Sequence, residues 1–147
     1  MNNIAENGHD NYILMLEQDV EDRWITSQTL QELNVTTPFK FLNYTYELFE
    51  WLKHHARPML ILINFKTSPD DVFSVLRQLK TNDSWSDIPV VILAENTPTN
   101  IVRECYRLGA ASFVVKPSGQ ENTRNKIGAF IKYWSEVAVL PNNVMMQ

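Results

Sequence analysis

The chain carries a single cysteine, Cys105, among its 147 residues. One thiol excludes an intrachain disulfide and any thiolate-rich zinc site. Glycine is nearly as scarce, at four residues, and no stretch is repetitive or rich in Ser and Gly. Linkers, internal repeats and low-complexity segments are therefore excluded. Long apolar runs are missing as well: none exceeds the length of Met59 to Ile63, far short of the roughly 20 residues that a membrane helix needs. The first residues, Met1-Asn2-Asn3-Ile4-Ala5-Glu6, lack both the basic and the apolar parts of a signal peptide. A cytoplasmic location away from membranes is expected. Positive charge is also in short supply. Thirteen Lys and Arg stand against seventeen Asp and Glu, for a formal charge of −4, so no broad basic field is available to grip a phosphate backbone. Nucleic acid is not an expected partner.

What is present is core-forming material. Hydrophobic residues make up 44% of the chain and aromatics 11%, which suits one globular domain and leaves no room for a second of ordinary size. That domain is placed at residues 11–141, between polar tails at 1–10 and 142–147. Within it, short apolar runs alternate with helical patterns. The runs are Tyr12 to Leu16, Phe39 to Leu42, Met59 to Ile63, Pro89 to Leu93 and Ala111 to Val115. Each has strand length, and their unbroken apolar character predicts strands buried on both faces, the mark of a parallel sheet.

The segments between them carry the helical period. Val72, Val75, Leu76 and Leu79 share one face, as do Ile101, Val102, Cys105, Tyr106 and Leu108. Tyr46, Phe49 and Leu52 mark the second helix, and Ile127, Phe130, Ile131 and Trp134 the fifth. The first helix, about Val20 to Leu33, is placed by length and position, since its pattern is less periodic. Ser68-Pro69 and Thr97-Pro98 read as capping hydroxyls before a first-turn proline, and Gly109 as the stop after the fourth helix. Five strand-helix units joined by right-handed crossovers predict a doubly wound, flavodoxin-like α/β domain with a five-stranded parallel sheet of order 2-1-3-4-5. The functional crevice of such a sheet lies at the carboxyl ends of its strands. There stand Glu17, Gln18 and Asp19 after strand one, Asn64 after strand three, Ala94 after strand four and Lys116 after strand five.

Four segments carry a resemblance to the receiver domain of two-component response regulators. They are Ile13 to Asp19, Arg57 to Asn64, Ile88 to Ala94 and Leu108 to Pro117. The resemblance spans roughly residues 11 to 141, and the close from Tyr133-Trp134 to Leu140-Pro141 is similar to the small stand-alone regulators of bacterial phytochromes. It implies phosphoryl transfer from a histidine kinase to an aspartate after strand three. In such a mechanism Mg²⁺ is held by that aspartate and an acidic pair, a Thr or Ser and a Lys grip the phosphoryl oxygens, and an aromatic in strand five turns inward. Laid onto this chain, the phosphoacceptor position is Asn64, whose amide is no carboxylate nucleophile. The acidic pair is Glu17-Gln18, leaving one carboxylate where hard cations need several, so Mg²⁺ binding is expected to be weak or absent. Asp19 stands where the family begins its first helix, although it offers a substitute ligand. Ala94 replaces the hydroxyl and donates nothing. Lys116, Pro117 and the switch aromatic Phe113 match the pattern.

Lys66, two residues past Asn64, has two readings: its ammonium replaces the divalent ion near Glu17 and Lys116, or it stays in water. His54-His55 reads as helix-end charge, Cys105 as a buried inert thiol, and Asp70-Asp71 as a first-turn acidic cap. The expected protein is a stand-alone, phosphorylation-independent pseudo-receiver, not an enzyme, working by contact with a histidine kinase or another signalling protein. A homodimer is expected on the face of the fourth helix, fifth strand and fifth helix, with Arg103, Arg107 and Tyr133 at the contact. The alternative is a small-molecule or anion-binding module that uses the emptied crevice.

Overall fold

Each of the five apolar runs becomes a strand, and each helical pattern a helix. The computed structural model describes residues 11–116 and 120–141. In chain order the elements are β1 (Ile13–Leu16), α1 (Val20–Glu32), β2 (Phe39–Leu42), α2 (Thr45–His54), β3 (Leu60–Asn64), α3 (Val72–Lys80), β4 (Val90–Ala94), α4 (Thr99–Arg107), β5 (Ser112–Val115) and α5 (Gln120–Lys132). A π-helical turn, Tyr133–Val137, extends α5. The strands form one parallel sheet ordered β2-β1-β3-β4-β5, as the alternating pattern predicts. β1 and β3, with neighbours on both sides, are buried throughout, while the edge strands β2 and β5 are only partly so.

Alternate residues of each strand face opposite layers. Leu14, Leu16, Ile61, Ile63 and Ile92 pack with α2, α3 and Cys105 of α4 on one side. Ile13, Met15, Leu60, Leu62 and Val91 meet Phe130, Ile131, Trp134 and Leu140 on the other. α1 lies on this second side and contributes little to it: Thr29 and Leu30 are its buried residues, and Trp24 is 62% exposed. Its sequence holds no apolar stripe. Among the described residues no helix is long and apolar enough to cross a membrane.

Several local expectations need correction. Ser68-Pro69 does not start α3; that peptide is cis and lies in the preceding loop, and Asp71 caps the helix by accepting from the Ser74 N–H at 2.9 Å. Thr97 does not cap α4 either, because its hydroxyl turns back to the Glu95 carbonyl at 2.6 Å and Pro98 takes the N-cap position. The inner face of α2 is Thr45, Leu48 and Leu52, which leaves Tyr46 outside at 62% exposure, stacked on Tyr44. Tyr106 is also half out, with its hydroxyl accepting from the Phe113 N–H at 3.0 Å. Gly109 does end the fourth helix, at a φ of +107° that an L side chain rarely adopts.

Candidate functional site

Backbone register sets the site. Leu16 pairs with Ile63, Asn64 with Leu93 and Ala94 with Val115, so the residues at these strand ends open into one crevice of about 630 Å³. Glu17, Gln18, Asp19, Asn64, Lys66, Ala94 and Lys116 all line it. The structure thus brings together every crevice residue named from the sequence.

Their contacts differ from residue to residue. Glu17 is 1% exposed, and a buried carboxylate is costly unless partnered. Asn64 Nδ2 donates to both of its oxygens, at 2.7 and 2.6 Å, while Lys116 Nζ lies 3.2 Å from Oε1 and the Asp19 N–H 3.2 Å from Oε2. Both Glu17 oxygens are therefore occupied by donors of the chain itself. The Asn64 carbonyl oxygen is engaged too, accepting from the Lys66 N–H at 3.1 Å. Gln18 turns aside and accepts from the Ser68 hydroxyl at 2.9 Å. Asp19 caps α1 through the Asp22 N–H at 2.9 Å, which commits the candidate substitute ligand to a structural role. Ala94 is buried and presents a methyl group; its carbonyl accepts from the Lys116 N–H at 2.7 Å. Among the described residues, no group of three or more His, Cys, Asp or Glu side chains is placed to hold a metal ion.

Lys116 is the hub. Besides Glu17 it reaches Asp22, 2.9 Å away on the first turn of α1. Burial pulls its ammonium pKa down, but the hydrogen bond it donates to Asp22 and the charges of Glu17 and Asp22 outweigh it and leave the pKa raised. Lys66 is not part of this network: it is 78% exposed, with Glu95 at 3.8 Å as its ion-pair partner. Of the two readings for Lys66 the solvated one holds, and the cation beside Glu17 is Lys116. Asp22 was missed from the sequence. The available signal was its place one helical turn after Asp19, on the side of α1 that borders the crevice.

Phe113 is half-buried against the first core layer, edge-on to Phe65 at 6.4 Å. Pro117 lies outside the described residues. Arg103 and Arg107 are exposed on α4, with Arg107 paired to Glu104 at 3.2 Å. Tyr133 is 49% exposed and edge-on to Trp134 at 5.0 Å. These three side chains flank β5 from opposite faces of the sheet. The remaining candidates are structural: His55 stacks on Trp51 at the end of α2, His54 pairs with Glu50, and the Cys105 thiol is pushed up to about 11 first by burial and then by Glu104.

No family model matches the chain. The two-component response regulator ORR3 of Oryza sativa is 28% identical over 109 residues, covering 72% of this chain and 79% of that protein. Response regulator Rcp1 of Synechocystis is 22% identical over 135 residues, 88% of this chain and 92% of its own; its Mn²⁺-bound structure superposes with a TM-score of 0.79, covering 89% and 99%. Response regulator RPA3017, from red light signalling of R. palustris, superposes at 0.82 with 17% identity over 89% of this chain and 98% of its own. By fold and strand order the chain has the architecture of response regulator receiver domains, and its sequence is similar to theirs along most of its length.

Proposed function

We propose that this receiver signals without phosphoryl transfer, through contacts of its surface with other proteins. The observation that carries the reading is the closed network in the crevice. Glu17, the one carboxylate left of the usual three, has both oxygens filled by Asn64, Asp19 and Lys116. Mg²⁺ relies on carboxylate oxygens and dehydrates reluctantly, so it does not fit a site where Glu17 already has an ammonium beside it and Asp19 is committed to capping α1. Asn64 offers a delocalised amide in place of a nucleophile, and Ala94 offers no hydroxyl. The domain is not an enzyme in this reading. Its partners are a histidine kinase or another signalling protein and a second copy of itself, met on the face of α4, β5 and α5. The alternative of an anion held in the crevice is less well supported, since Glu17, Asp19, Asp22 and Glu95 line it against Lys66 and Lys116.

The test is chemical. Acetyl phosphate or beryllofluoride with Mg²⁺ leaves the mass and the amide spectrum of the protein unchanged. Asn64→Asp alone does not recover efficient phosphorylation, because the second metal ligand and the hydroxyl are still absent. Adding Gln18→Asp and Ala94→Thr recovers part of it. A phosphorylated species of the native chain mapped to this crevice overturns the proposal.

A further inference from the structure

A second cavity, of about 720 Å³, lies between α1 and α5 on the second face of the sheet. It exists because α1 has no apolar stripe to lay over the sheet. Leu93 and Val114, which a packed helix would cover, are left half-buried as its floor, with Met15 and Leu62 beside them. Trp24 of α1, Phe39 of β2 and Phe130 of α5 supply aromatic walls. The two helices are held across the gap by the ion pair of Arg124 with Glu32, at 2.9 Å.

We infer that this cleft is a binding site for a planar aromatic small molecule that carries no negative charge. Volume is the first argument, since 720 Å³ falls within the roughly 300–1,000 Å³ of small-molecule sites, which are mostly apolar with a few polar groups. Charge is the second. The walls carry four carboxylates, Glu17, Glu21, Asp22 and Glu32, against two ammoniums, Lys116 and Lys126. Both ammoniums are already engaged, Lys116 with Glu17 and Asp22 and Lys126 with the Val115 carbonyl at 2.7 Å. An anion finds repulsion there and no open cation. Ring shape is the third: aromatic walls above an aliphatic floor favour stacked and edge contacts with a flat ring. Glu17, Asp22 and Lys116 line both this cleft and the crevice, so an occupant borders the network that stands where phosphorylation acts in relatives. The site itself does not depend on the crevice being inert.

A pair of fluorescent probes tests it on the full chain. Uncharged aminoanthracene is expected to bind saturably, one per chain, with micromolar affinity. Anilinonaphthalene sulfonate, similar in aromatic area but anionic, is expected to bind at least about tenfold more weakly. Val114→Phe fills the floor and weakens aminoanthracene by about tenfold or more, with the melting temperature unchanged or raised. If that variant does not fold, Ile25→Glu, at a partly exposed wall position, brings a charge to the mouth and weakens the same probe. Lys53→Gln, exposed on α2 at the other face of the sheet, leaves binding unaltered. The inference is overturned if aminoanthracene does not saturate, if the sulfonate binds as well, or if folded variants at both positions bind like the native protein. None of these outcomes bears on whether the crevice can be phosphorylated, so the two proposals fail separately.

Discussion

At the residue scale the molecule turns on how one buried carboxylate is satisfied. Glu17 sits where water cannot reach it, and Lys116 supplies the cation. Lys116→Met removes that cation and leaves Asn64 and the Asp19 N–H as the remaining donors. A cost of about 2 kcal/mol in urea unfolding is expected, since a buried charge stripped of its partner is expensive. The pH dependence has a definite sign. Because the folded pKa of Lys116 is raised, its contribution is fully present below the unfolded lysine value of about 10.4 and is lost as pH climbs through the folded value. The stability gap between native protein and Lys116→Met is therefore constant from pH 7 to about 10 and narrows above that; a gap that widens instead contradicts the ion pair. That the residues at these strand ends meet in one crevice was legible in the sequence, because the ends of apolar runs reveal where a parallel sheet opens. Which lysine faces Glu17 was not legible. Lys66 and Lys116 both stand at strand ends, and only the course of the loops decides that one ammonium turns in and the other out.

At the element scale, strands were easier to read than helix starts. A strand buried on both faces must be apolar along its length, so its limits in sequence fall within a residue of those in the structure. A helix start depends instead on one side chain reaching one N–H, and several polar residues compete for that role. Before α3 the candidates were Ser68, Asp70 and Asp71; Asp71 has the extended backbone and the Ser74 N–H. Before α4, Thr97 looked equivalent yet bonds Glu95. Two substitutions measure the distinction. Asp71→Ala is expected to cost about 1 kcal/mol, the usual value of an N-cap. Thr97→Ala is expected to stay within about 0.5 kcal/mol, as for a surface change away from a cap. Equal losses in denaturant midpoint at constant slope would show that Thr97 caps α4 in solution.

At the scale of the whole molecule, the order of elements determines which surfaces are left to act. Five right-handed strand-helix units predict a doubly wound parallel sheet; that architecture was readable from periodicity, and the expected order 2-1-3-4-5 is the one the structure has. The α1–α5 cleft was not, because a weak pattern in one helix tells nothing of how far the opposite helix stands off. The same order puts β5 at an edge, with α4 and α5 on either side of it. Tyr106, Val115, Tyr133 and Val137, all on α4, β5 or the π-helical extension of α5, are exposed large apolar side chains. An open edge strand bordered by apolar side chains is a liability unless covered, and a second copy placed by a twofold axis covers it with the same patch. Arg103 and Arg107 border this face from α4, and reversing both to Glu sets like charges across a twofold contact. Sedimentation is expected to report a dimer for the native chain at tens of micromolar, well above the ~1 μM dissociation constant of even a modest dimer. The double reversal is expected to give a monomer with an unaltered melting temperature, because exposed helix positions carry little stability. A native chain that sediments as a monomer at that concentration removes the second copy and leaves a different protein as the occupant of the β5 edge.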